Sequence, residues 1–155
     1  MKMKIIFLLL AGLVISLGTG LYLYNVPDRD IAGSKSDFTL SVDALVDEYL
    51  LNPQAANTKY LDDQGESSII TITGPLEDIS EDFNGQLVLL LKSPSAQAGL
   101  SATLNEGSIL KAADFKKVEI YTIKGVIRSG ASYDEDLEMY EHVILEKSEI
   151  INKSK

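Results

Sequence analysis

The feature that most limits what this chain can become is a run of twenty uncharged residues near its start, Ile5 to Tyr24, reading IIFLLLAGLVISLGTGLYLY. At about 1.5 Å of rise per residue, a helix of that length matches the ~30 Å hydrocarbon core of a bilayer. The folded core must therefore come from the residues that follow. Lys2 and Lys4 precede the run and the mixed Asp28, Arg29 and Asp30 follow it. By the positive-inside rule this puts the N-terminus in the cytoplasm and everything downstream on the periplasmic or extracellular side of the cytoplasmic membrane. Tyr22 and Tyr24 fall at the interfacial level that amphipathic rings prefer. A cleaved signal peptide fits the same residues, because the apolar stretch Ile5 to Ile15 is short and Ser16, Gly18 and Gly20 could place a peptidase site. Both readings export the domain, and without cysteine there is no lipid attachment. The expected division is an anchor or signal over 1–24, a tether over 25–37 (NVPDRDIAGSKSD, rich in turn-formers and charge), and one domain over 38–155.

Charge and composition narrow the function of that domain. The chain has 155 residues, 45% hydrophobic and 24% charged, which is globular rather than disordered usage. The absence of cysteine removes disulfides and thiolate metal sites. Without Lys2 and Lys4, twelve basic residues stand against 23 acidic ones, a net of −11. Such a surface repels phosphate backbones and suits cationic or neutral partners, or serves solubility alone.

Ser41 is an N-cap residue, and Val42, Leu45, Val46, Tyr49 and Leu50 after it form one apolar helical stripe. Asn52-Pro53 ends that helix and opens a shorter one in which Ala56 and Tyr60 share a face, so helices are expected over 41–61 with both tyrosines in the core. From Ser68 the period changes. Ser68 to Ile79 reads as a long first strand bent at Gly74-Pro75, and Gln86 to Lys92 as a continuous apolar run that fits a strand buried on both faces or, by periodicity alone, a buried helical turn. Leu100, Ala102 and Leu104 alternate with polar residues. Residues 109–117 suggest a short helix or loop, Val118 to Arg128 a strand with Gly125 at a bulge or bend, and Glu138 to Ile151 a fifth strand before a fraying NKSK tail. The expected architecture is mainly β with helices (α+β), a five-stranded OB-like Greek-key barrel over 68–152 preceded by the N-terminal helices.

The post-membrane stretch LYLYNVPDRDI, the helix SVDALVDEYLLNPQAANTKYLD, the strand ITITGPLEDI and the later IYTIKGVIRSG resemble the tRNA-anticodon-binding-like family of OB folds, in its short membrane-anchored bacterial form. The resemblance spans nearly the whole domain. It implies an OB barrel and no catalytic residues, and a shared fold does not by itself imply RNA binding. It also implies that many relatives carry a cysteine in the third strand and another in the last, near Ala102 and Ser148 here, so that this chain has lost a possible disulfide.

Chemistry is sparse. His142 is the one histidine, which excludes His-pair metal sites and reads as a surface or half-buried side chain, and no P-loop or nucleophile elbow occurs. OB barrels hold oligonucleotides on strands two and three with the loops after strands one and four. Here those loops carry Glu77, Asp78, Glu81 and Asp82, and Asp134, Glu135, Asp136 and Glu138. They are expected to rim one mouth of the barrel and to turn phosphates away, with Tyr133 as a single ring. The candidate ligand-binding residues are Glu77, Asp78, Glu81, Asp82, Arg128, Tyr133, Asp134 and Asp136. The loops could also take a calcium ion, although neither has EF-hand spacing. The expected protein is a non-enzymatic, membrane-tethered binding module without cofactor or metal, taking an envelope protein, a basic peptide or a glycan. The alternative is a nucleic-acid-binding OB domain.

Overall fold

The computed structural model describes residues 12, 15–20, 30, 31, 33–62, 67–106 and 108–154. The chain divides into two compact units, Met1–Asp30 and Ile31–Lys155. Residues 15–20 of the first are helical, with Thr19 Oγ1 donating back to the Ile15 carbonyl at 2.8 Å. Among the described residues no helix is long and apolar enough to cross a membrane. Most of the run read as anchor or signal lies outside them.

The second unit begins with strand β1 (Phe38–Ser41), helix α1 (Val42–Leu51) and helix α2 (Pro53–Tyr60). The Ser41 side chain caps α1 by accepting the Ala44 N–H at 3.2 Å, and Asn52 repeats the device for α2 on Ala55 at 3.1 Å, with Pro53 in the first turn where no N–H is needed. The stripe Val42, Leu45, Val46 and Tyr49 is buried, as are Ala56 and Tyr60. Tyr60 meets Phe38 edge-on at 5.0 Å and lies 5.9 Å from Tyr49, so the two helices and β1 share one apolar seam.

The barrel follows as β2 (Ile69–Glu81), β3 (Leu87–Leu91), β4 (Leu100–Leu104), β5 (Ile120–Ser129) and β8 (Val143–Ser154), with a separate hairpin of β6 (Ser132–Asp134) and β7 (Met139–Glu141) between the last two. The strands run β2-β3-β4-β8-β5, and β5 returns to β2 to close the ring. Only β4 and β8 pair in parallel within the ring. This is a closed, mostly β, OB-like barrel. The long β2 makes closure possible: its first half pairs with β5 and its second half with β3, the register shifting between Leu76 and Asp78. Gly125 also stands at a register shift, where β5 meets β8, and a Cβ there would come within 2.6 Å of Ser148 Oγ.

The ring has two ends. At the helix end, where β3 and β5 finish, α1 seals the core: the Tyr49 ring lies so close over Gly130 that a Cβ there would sit 1.9 Å from it. At the loop end, where β2 and β4 finish, the connections 82–86 and 105–119 emerge, the latter with one 3-10 turn at Ala112–Asp114.

Five expectations need correction. β3 is not buried on both faces. Leu87, Leu89 and Leu91 point inward while Val88 and Leu90 stay half-exposed, because a closed barrel has only one dry side. The last strand starts at Val143 rather than Glu138, since residues 139–141 pair with 132–134 instead. It also continues through Ser154, which pairs with Ile120, so the tail is laddered rather than frayed that far. β1 was not foreseen; it lies parallel to the first half of β2, along Ile70 to Thr73. Finally, the C-terminal part of the presumed tether is docked. Ile31 is buried, Ser36 Oγ shares a hydrogen bond with Thr71 Oγ1 at 2.6 Å, Asp37 bonds Ile69 through both backbone and side chain, and the buried Lys124 ammonium donates to the Ser34 carbonyl.

Candidate functional site

The two acidic loops do not rim one mouth. β2 and β5 are antiparallel, so the turn after β2 opens at the loop end, whereas the β6–β7 hairpin after β5 leaves from the helix end. The expectation of a single ring of carboxylates is overturned by this topology.

Within the first run each carboxylate has its own surroundings. Glu77, at the register shift, lies 3.6 Å from Lys92, and Asp78 receives a 2.6 Å hydrogen bond from Lys117. That bond, with one from the Ile79 backbone, holds the Asp78 carboxyl below its ordinary range. Asp82 builds the turn, its Oδ1 accepting from the Asn84 and Gln86 N–H groups at 2.9 and 2.8 Å while Gly85 adopts φ 77°. Glu81 is exposed at the end of β2. The second run repeats the turn device, with Asp134 Oδ1 accepting from Asp136 and Leu137 at 2.8 and 2.9 Å. Asp136 is exposed near the hairpin tip, and Tyr133 packs against Tyr140 with ring centres 4.8 Å apart. Arg128 stands on the barrel flank, 3.9 Å from Glu146 of β8. Of the eight candidates, Asp82 and Asp134 thus serve turns, and the others are spread over both ends and the flank. Among the described residues no three acidic or histidine groups converge as a metal cage.

Strands β3 and β4, the OB binding face, carry Val88, Leu90, Ser101 and Thr103 on the outside, paired as Val88 with Thr103 and Leu90 with Ser101. None of these is aromatic or basic, so the two elements that hold single-stranded nucleic acid, stacking rings and cations, are missing from those positions.

Sequence reading overlooked the apolar side chains of the loop end. Phe83, at the centre of the turn after β2, is fully exposed, and Ile109 and Val118 of the 105–119 connection are 92% and 79% exposed. Gln86 Nε2 donates to the Leu104 carbonyl at 3.1 Å and so fastens the base of the Phe83 turn to the start of that connection. Val118 is held out at φ 73°, a left-handed conformation costly for a β-branched residue. Its own N–H donates to the Leu76 carbonyl at 2.7 Å, and the Leu76 N–H donates to the Glu119 carbonyl at 3.0 Å, which fixes it there. A phenylalanine inside the Asp-Phe-Asn-Gly turn was the available signal, since such turns are ordinarily polar.

Comparison with known proteins adds the family. A family model described as tRNA_anti-like matches residues 1–136, from the apolar N-terminal run through β6. No curated protein matches. The match covers most of the chain and agrees with the closed barrel, and the chain therefore belongs to the tRNA-anticodon-binding-like (tRNA_anti-like) family of OB-fold domains.

Proposed function

We propose that this protein is a non-enzymatic binding module held on the outer side of the cytoplasmic membrane by its N-terminal apolar run, and that its ligand is another protein engaged through the loop end of the barrel. The observation that carries the reading is Phe83, a fully exposed ring on a rigid turn, flanked by Glu81 and Asp82 and accompanied by Ile109 and Val118 on the neighbouring connection. Aromatic side chains that project from rigid turns make effective interface anchors, each offering roughly 150–250 Å² for burial. The acidic flank, on a chain whose net charge beyond the N-terminal lysines is −11, complements a partner that presents basic groups around an apolar recess. A basic peptide satisfies the same chemistry. A glycan fits less well, because the projecting groups are aliphatic and aromatic rather than hydrogen-bonding.

The nucleic-acid alternative lacks comparable support, given the outward residues of β3 and β4 and the acidic balance. Protease accessibility of the full chain, tagged at its C-terminus, tests the location. Digestion only after the outer barriers of the cell are opened agrees with the proposal, and fragment size reports whether the N-terminal run is cleaved. Protection throughout overturns it and makes single-stranded RNA the partner to try first.

A further inference from the structure

We infer that His142 is a proton-operated latch, which ties the β3–β4 connection (residues 92–99) to the start of β8 by a side-chain bond at neutral pH and gives up that bond in acid. Two bonds join Gly99 to the segment entering β8. The Gly99 N–H donates to His142 Nδ1 at 3.1 Å, and the Val143 N–H donates to the Gly99 carbonyl at 2.9 Å. The first depends on protonation. Nδ1 accepts a hydrogen bond only while the ring is neutral with its proton on Nε2; a second proton turns Nδ1 into a donor facing a donor.

The surroundings set the direction of the switch. Burial, then the Lys92 ammonium at the base of the connection, disfavour the imidazolium and lower the pKa of His142, while Glu77 on β2 opposes them. Glu141, the preceding residue, bonds to Ser132 and is exposed. The latch is therefore closed at neutral pH and opens below the ordinary histidine range. In the unfolded chain the histidine takes its proton near 6.5, and in the folded chain it resists. The stability due to the neutral ring is thus complete above about 6.5 and is lost as the pH falls from there through the lowered folded value.

Opening the latch leaves the Val143 N–H to Gly99 carbonyl bond in place and the connection fastened to α1 by Ser93 Oγ and Asp43 Oδ2, at 2.7 Å, but it loosens the footing of the hairpin, because β7 runs directly into His142. The hairpin carries Tyr133, Asp134 and Asp136, so their presentation becomes a function of pH. This device lies at the helix end and does not rest on the docking surface proposed for the loop end.

The chain has a single histidine, which makes the test direct. In the full chain with ¹⁵N-labelled histidine, the imidazole is expected as the Nε2–H tautomer at about pH 7.5. As it titrates, the protection of the Gly99 amide, corrected for intrinsic exchange, should fall roughly tenfold in step, while that of Ile123 in mid-β5 holds. His142→Asn places a non-titrating acceptor at the Nδ1 position and should keep Gly99 protected throughout. An Nδ1–H tautomer, Gly99 protection that ignores the titration, or a pH response that survives in H142N overturns the proposal. The first two measurements need only the native chain, so they decide even where the variant does not fold.

Discussion

The two ends of the barrel differ in what closes them: a helix at one, bare turns at the other. At the helix end, Val42, Leu45, Val46 and Tyr49 fold inward and close the core, while Leu51 and the hairpin's Leu137 and Met139 stay exposed. At the loop end, Phe83, Ile109 and Val118 face outward on turns whose backbones are pinned by hydrogen bonds. Hydrophobicity alone does not separate a core residue from an anchor. The separation comes from which end of each strand a residue follows, and from whether a helix is available to cover it. At the helix end α1 covers the core, whereas Phe83 and Val118 at the loop end project from turns that no helix among the described residues covers.

That contrast can be broken most sharply at Gly130. Gly130→Val places side-chain atoms where the Tyr49 ring lies, and should cost several kcal/mol or prevent folding, read from urea or thermal unfolding. Next in size is Leu45→Ala, which empties a fully buried position at the same end and should cost about 2–5 kcal/mol. Phe83→Ser is the matched control at the loop end, expected within about 0.5 kcal/mol of the native chain. A loss at Phe83 comparable to that at Leu45 would erase the distinction.

Smaller effects sharpen it. Val118→Gly removes a β-branched side chain from a left-handed backbone position. Relief of about 1–3 kcal/mol of strain is set against roughly 0.5–1 kcal/mol of glycine entropy, so a small gain in unfolding free energy is expected. A clear loss would mean that Val118 packs rather than projects. Tyr49→Phe should be the mildest. Burial, together with the charges of Tyr60 and Glu48, pushes the Tyr49 hydroxyl up to about 12, and that hydroxyl has no hydrogen-bond partner among the described residues. Its removal should be neutral or slightly stabilising by denaturant titration.

Much of this fold was legible in the sequence. Ser41 and Asn52-Pro53 mark the helix starts, the 3.6-residue stripe gives the buried face of α1, and alternation over Leu100 to Leu104 gives a strand with one wet side. The long bent β2 and the break at Gly125 were visible because glycine and proline interrupt otherwise apolar alternation. What escaped was non-local. The short strand β1 pairs with β2, and the docking of Ser34 and Ser36 depends on Lys124 and Thr71, far away in sequence. The acidic loops looked like one site because their composition matches, while the antiparallel course of β2 and β5 sends them to opposite ends. Asp82 and Asp134 looked like ligand groups because a turn-forming aspartate and a binding aspartate are the same residue type, distinguishable only by what the carboxylate accepts.

The most direct test of the contrast is a paired photo-crosslinking measurement in intact cells. One photoreactive residue replaces Phe83, and the other replaces Leu51, which is 88% exposed and apolar but ends α1 at the opposite side of the barrel. A discrete protein adduct from position 83, lost on introducing Glu81→Lys, with none from position 51, is the expected result. Equal adducts from both positions, or an adduct from 51 alone, would contradict a docking surface at the loop end.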